Sequence, residues 1–128
     1  MIYFDSSVAL AQIFAEDRFV PDSVAEAELI SSRLLEYEVW NRIHARGFAQ
    51  SHAKEVETFL GRVSLMDLIP DVIGRALKPF PISVRTLDGL HLATVEFLRG
   101  RGEDIELASF DRRLIAAARA LGIAIYSL

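Results

Sequence analysis

At 128 residues, 52% hydrophobic and 25% charged, the chain has the size and balance of one folded domain spanning residues 1–128. It contains no cysteine, which excludes disulfides, thiolate nucleophiles and cysteine-ligated zinc. The net charge of −4 counts mildly against a nucleic-acid binder, but cations bound among clustered acids reverse the local field, so basic residues are judged by position.

The opening Met1-Ile2-Tyr3-Phe4-Asp5-Ser6-Ser7 has no basic segment and no long apolar run, so no signal peptide is expected. No stretch approaches the ~20 apolar residues that span a bilayer, and a cytoplasmic protein without membrane association is the expectation.

Ile2–Phe4 is a short apolar run, predicted as a strand buried on both faces. Asp5, Ser6 or Ser7 can cap a helix over Val8–Ala15. The polar stretch Glu16–Ser23, with Pro21, reads as a loop leading to a short helical turn, and Glu28–Ser31 as a second strand. Leu35, Val39 and Ile43 recur on one face of a helix over Arg33–Arg46, closed by Gly47. A further helix over Ser51–Val63 turns Ala53, Val56, Phe59 and Leu60 inward.

Leu65–Ile69 reads as a strand, and Pro70 opens a short helix over Asp71–Leu77. Pro79 and Pro81 make Lys78–Val84 a loop. Thr86–Arg99 is helical and closed by Gly100; Ile105–Ser109 is a strand. Arg112–Leu121 is a helix ended by Gly122, and Ile123–Tyr126 a last strand. Alternating strands and helices, with the strands apolar, imply an α/β fold with a mainly parallel sheet covered on both sides. Chemistry in such folds sits at the carboxyl ends of the strands, near a switch in strand order.

Four acids occupy equivalent places in this pattern. Asp5 and Asp111 follow the first and fourth predicted strands; Glu38 and Asp88 lie in the early turns of helices. Each has an ordinary explanation. Asp5 and Asp111 serve as helix caps, Asp88 complements a helix dipole, and Glu38 pairs with Arg42 at i+4. If the four converge, their repulsion needs compensation: two charges ~4 Å apart cost about 4 kcal/mol at an effective dielectric of ~20. Mg²⁺ or Mn²⁺, which take all-oxygen ligands, are the natural counter-ions. Such an ion activates water for phosphoryl transfer.

Four blocks carry a resemblance. They are Ile2-Tyr3-Phe4-Asp5-Ser6-Ser7, Ser31 to Val39 around Glu38, Arg85-Thr86-Leu87-Asp88-Gly89-Leu90-His91-Leu92-Ala93, and Ala108-Ser109-Phe110-Asp111-Arg112-Arg113-Leu114 with the Ala117–Gly122 run behind it. In this order they resemble the signatures of PIN-domain ribonucleases of the VapC type, the toxins of VapBC toxin–antitoxin pairs. The resemblance covers nearly the whole chain. It implies a PIN-like three-layer α/β/α sandwich, metal-dependent cleavage of RNA to 5′-phosphate and 3′-hydroxyl ends, a VapB-type antitoxin and a homodimer.

Carried over by position, Asp5, Glu38, Asp88 and Asp111 match the metal-binding acids. Ser109 matches the small hydroxyl residue before the last acid, and Ser7 a hydroxyl residue beside the first. The chain departs from the pattern at Ala11 or Gln12, where many relatives carry lysine, at Ser109-Phe110 for Thr-Tyr, and at Gly89 for alanine.

The remaining polar residues divide by position. His91 shares a helical face with Leu87, Val95 and Leu98, which suits a satisfied core histidine or one that orients Asp88 or its helix. Arg85 suits a phosphate or a neighbouring acid equally. Arg112 and Arg113 at a helix start point to a nearby anion, whereas Arg42, His44 and Arg46 at a helix end favour the dipole. Trp40, Phe48 and Phe59 read as core or dimer contacts, and Asp67, Asp71 and Asp104 as solvated acids. A non-catalytic PIN-fold binding module is the alternative from another class. A phosphohydrolase acting on small molecules is a third reading, and Ser7, where a second aspartate is usual, counts against it.

Overall fold

The computed structural model describes residues 1–14 and 20–128. Its strands are β1 (Ile2–Phe4), β2 (Leu29–Ser32), β3 (Ser64–Met66), β4 (Glu106–Ala108) and β5 (Ala124–Ile125). The helices described are α1 (Ser6–Phe14), α2 (Asp22–Glu26), α3 (Leu34–Ala45), α4 (Ala49–Leu60), α5 (Pro70–Ala76), α6 (Thr86–Gly100) and α7 (Arg112–Ala120). The predicted end of the first helix at Ala15, and the loop from Glu16 to Phe19, lie outside the described residues.

The sheet is wholly parallel, in the order β3-β2-β1-β4-β5. The predicted α/β class and the alternation of elements therefore hold. Side chains of β1 alternate between the two faces, as the two-residue strand period requires. Ile2 and Phe4 pack with Val8, Leu35, Val39, Ile43 and Val56 from α1, α3 and α4. Tyr3 packs with Leu92, Val95, Leu107 and Leu114 on the other side, under α6 and α7. The result is a three-layer α/β/α sandwich. Among the described residues no helix is long and apolar enough to cross a membrane.

Several predicted boundaries shift. The second strand starts at Leu29, because Glu28 is exposed and β1 takes only its carbonyl, through the Ile2 amide. The fourth helix begins at Ala49, where the His52 amide already bonds to the Phe48 carbonyl, and it stops at Leu60. The third strand is Ser64–Met66, not Leu65–Ile69: the Ile69 amide turns back to the Asp67 carbonyl to enter α5.

Chain order makes β1 the pivot. The chain runs outward from β1 through β2 to β3, then returns to pair β4 with the other side of β1. That reversal opens a crevice at the carboxyl ends of β1 and β4. Phe4 is in register with Ala108, so the next residues on each strand, Asp5 and Ser109, emerge side by side.

Candidate active site

A cavity of about 830 Å³ opens at this edge, lined by Asp5, Glu38, Asp88 and Asp111 together with Ser6, Ser7, Arg85 and His91. All four acids singled out in the sequence line this one cavity. Each arrives by a different route: Asp5 from the end of β1, Glu38 from the second turn of α3, Asp88 from the first turn of α6, and Asp111 from the entry to α7.

Asp5 is only 5% exposed. The Ser7 hydroxyl donates to its Oδ1 at 2.6 Å and the Ser109 hydroxyl to its Oδ2 at 3.0 Å. Both serines are pinned in turn, since the Phe110 amide donates to Ser7 Oγ at 3.0 Å and the Asp111 amide to Ser109 Oγ at 2.9 Å. Burial raises the Asp5 carboxyl above the ordinary aspartate range; the Ser7 hydroxyl, His91 and the Ser109 hydroxyl act the other way. Asp5 is thus no simple helix cap: its carboxylate is held by one hydroxyl from the first turn of α1 and one from the end of β4.

Glu38 does not make the expected i+4 pair with Arg42. His91 Nε2 lies 2.5 Å from its Oε1, and the Ser6 hydroxyl donates to its Oε2 at 3.2 Å. An ionised carboxylate only accepts, so Nε2 carries the proton. The other imidazole nitrogen, Nδ1, is 2.6 Å from the Tyr3 hydroxyl. Tyr3 is wholly buried, and that burial pushes its phenol upward and keeps it protonated. His91 is therefore a satisfied core histidine, 1% exposed, whose partner is Glu38 and not Asp88. Leu87, expected on its buried face, is instead 40% exposed and lines the cavity.

Asp88 and Asp111 share one cation. Arg85 Nε is 3.4 Å from Asp88 Oδ2, and its Nη2 donates to Asp111 Oδ2 at 2.8 Å. Burial raises the Asp88 carboxyl, and the neighbouring charge of Asp111 raises it further; Arg85 opposes both. Asp111 does cap its helix as expected, accepting from the amides of Arg113 and Leu114. Of the described residues, Arg112 and Arg113 do not line the cavity. Asp67, expected to be solvated, is exposed but pairs with Arg33 at 3.1 Å.

The four carboxylates and the Ser6 and Ser7 hydroxyls are oxygen donors of the kind a hard divalent ion takes, although Arg85, His91, Asn41, Arg42 and Arg46 share the lining. Among the described residues, however, no three acidic or imidazole groups stand together ready to hold an ion. Asp88 and Asp111 face Arg85, and Glu38 faces His91. An ion bound to Asp88 and Asp111 has to displace the guanidinium.

The sequence reading missed one wall. Tyr37, Asn41, Arg42 and Arg46 of α3 and its end also line the cavity. The signal was present, because Arg42 and Arg46 follow Glu38 at i+4 and i+8 and so share its face. Their place at a helix end gave them a sufficient reason without a site. The chain matches no family model, and no curated protein matches it.

Proposed function

We propose that this chain is a metal-dependent endoribonuclease, acting as the toxin of a toxin–antitoxin pair like the VapC-type PIN proteins that its sequence resembles. The observation that carries this reading is the gathering of Asp5, Glu38, Asp88 and Asp111 around one cavity at the carboxyl edge of a parallel sheet. These carboxylates would hold Mg²⁺ or Mn²⁺, which when bound supplies water activation and charge stabilisation for phosphodiester hydrolysis. Ser7 and Ser109 fix both oxygens of Asp5, His91 and Ser6 fix Glu38, and Arg85 neutralises the outer pair until substrate or ion arrives. RNA, a VapB-type antitoxin and a second copy of the chain are the partners that belong to this reading.

One observation favours the rival, a PIN-fold binding module that does not cut. Arg85 already satisfies Asp88 and Asp111, so a non-catalytic protein has no need of an ion there. Cleavage of a labelled RNA pool by wild type and Asp5→Asn, with Mg²⁺, Mn²⁺ or EDTA, separates the two. The nuclease requires both metal and Asp5, and Asp5→Asn lowers its rate by orders of magnitude. Silence from folded, antitoxin-free protein under every metal condition overturns the nuclease and moves the assignment to the binding module.

A further inference from the structure

Resting on the nuclease reading, we infer that the α3 wall of the cavity is a subsite for single-stranded RNA. In it, Tyr37 stacks on an unpaired base and Arg42 holds the adjoining phosphate. Tyr37 is 59% exposed, the most exposed aromatic ring described, and it stands on the cavity lining instead of in either core cluster. Among the described residues its hydroxyl has no hydrogen-bond partner, and Arg42 has no ion pair. An exposed aromatic face loses little on meeting a base, and stacking tolerates any base because each has a π-face.

The placement of charge selects the ligand. Helical spacing sets Glu38, Arg42 and Arg46 in one row and Tyr37 and Asn41 in the next, so one helix carries the wall from the acids outward. Arg46 is steadied with its guanidinium 4.6 Å above the Phe14 ring. Glu38 begins this row among the cavity's acids, and Arg42 and Arg46 follow it towards the end of α3. A polyanion that lies along the wall meets the arginines with its flanking phosphates and reaches the carboxylates only at the bond to be cut. Duplex RNA presents its bases already stacked and leaves none for Tyr37.

The test uses Asp5→Asn as the parent, so that binding is read without cleavage, and a short labelled single-stranded RNA of mixed sequence as the probe. Tyr37→Ala in this parent is expected to weaken binding roughly 5- to 100-fold, and Tyr37→Phe to restore most of it. An oligomer with abasic positions should not distinguish Tyr37 from alanine. Arg42→Gln should weaken binding and flatten its logarithmic salt dependence by about 0.7, the share of one single-strand phosphate contact. In the cleaving enzyme Tyr37→Ala should raise KM and leave kcat nearly unchanged. RNA binding and cleavage that ignore both Tyr37 and Arg42 would overturn this subsite and leave the nuclease standing. Failure of every variant to bind any RNA would overturn both. Equal loss on abasic and intact RNA would overturn the stacking role.

Discussion

His91 and Glu38 meet at 2.5 Å across the gap between α6 and α3, although 53 residues separate them in the chain. The imidazole is buried and the carboxylate faces the cavity, so this contact ties the core to the candidate chemistry. Replacing His91 with Ala removes a charge-assisted hydrogen bond, leaves Tyr3 without a partner for its hydroxyl on that side and opens a void. The expected loss is about 3 kcal/mol, read from the urea midpoint. A loss below about 0.5 kcal/mol, the scale of ordinary surface changes, would mean that the contact does not form.

Metal-free stability should depend on pH through Asp5 and Asp88. Both carboxyls are raised in the folded protein, chiefly by burial, so the native state binds protons more readily than the unfolded chain. Stability therefore falls as pH rises through their folded values, and recovers as pH is lowered towards the ordinary aspartate range. Thermal melts in EDTA across weakly acidic pH should show this slope. Asp5→Asn should flatten it and hold or raise Tm near neutrality. A wild-type Tm that climbs with pH over that window would contradict the assignment.

On the proposed reading, Arg85 and a divalent ion would compete for the oxygens of Asp88 and Asp111. Arg85→Gln should tighten Mn²⁺ binding, measured by titration calorimetry, and Arg85→Lys should fall between it and wild type. The neutral Arg112→Gln, on the α7 start away from the cavity, should change little. The Arg85 side chain is 62% exposed and screened by solvent, whereas Asp88 and Asp111 are 16% and 22% exposed, so its loss should lower apo stability by on the order of 1 kcal/mol. Equal effects at positions 85 and 112 would point to general charge, not displacement.

Ser7 and Ser109 act on opposite oxygens of one carboxylate and lie 3.4 Å apart. Ser109→Ala removes a donor to Asp5 and an acceptor for the Asp111 amide, and should cost about 1–2 kcal/mol of stability; on the proposed nuclease reading it also lowers cleavage. Ser7→Ala should behave alike. Because they share Asp5, the double variant should depart from additivity by about 0.5 kcal/mol or more in a denaturation cycle. Strict additivity would show that the two hydroxyls act independently.

Gly89 lies inside α6, and a methyl group there meets Phe80 Cε2 and Val84 Cγ2 at 3.4 Å, an ordinary contact. Gly89→Ala should stabilise the chain by about 0.5–1 kcal/mol through helix propensity. A fall in the denaturation midpoint would show that the Phe80 loop cannot accommodate the methyl.

The sequence made the layers readable because local patterns encode them: Ile2–Phe4 is too short and apolar for a surface helix, and Leu35, Val39 and Ile43 repeat at helical spacing. Asp5 and Asp111 were legible for a similar reason, since strand-to-helix junctions in parallel sheets project to one edge, and Glu38 and Asp88 through the early helical turns that carry them. Their partners were not. That Glu38 faces His91 instead of Arg42, and that Arg85 spans two acids, depends on how α3 and α6 dock. No spacing within either helix carries that information. Tyr37 and Arg42 were hidden differently, as an exposed residue on a helix satisfies every local rule without a site.

The pairing of Ile2 with Glu106 has a further consequence for a growing chain. Synthesis delivers β1 before both of its neighbours, and β4 only after more than a hundred further residues. Until then β1 presents an open edge, and Asp5 lacks both Ser109 and Asp111. A ribosome-bound fragment therefore carries no assembled acidic centre, whatever length of α1 to α6 it has made. If the centre cuts RNA, that chemistry waits until β4 and the entry to α7 are in place.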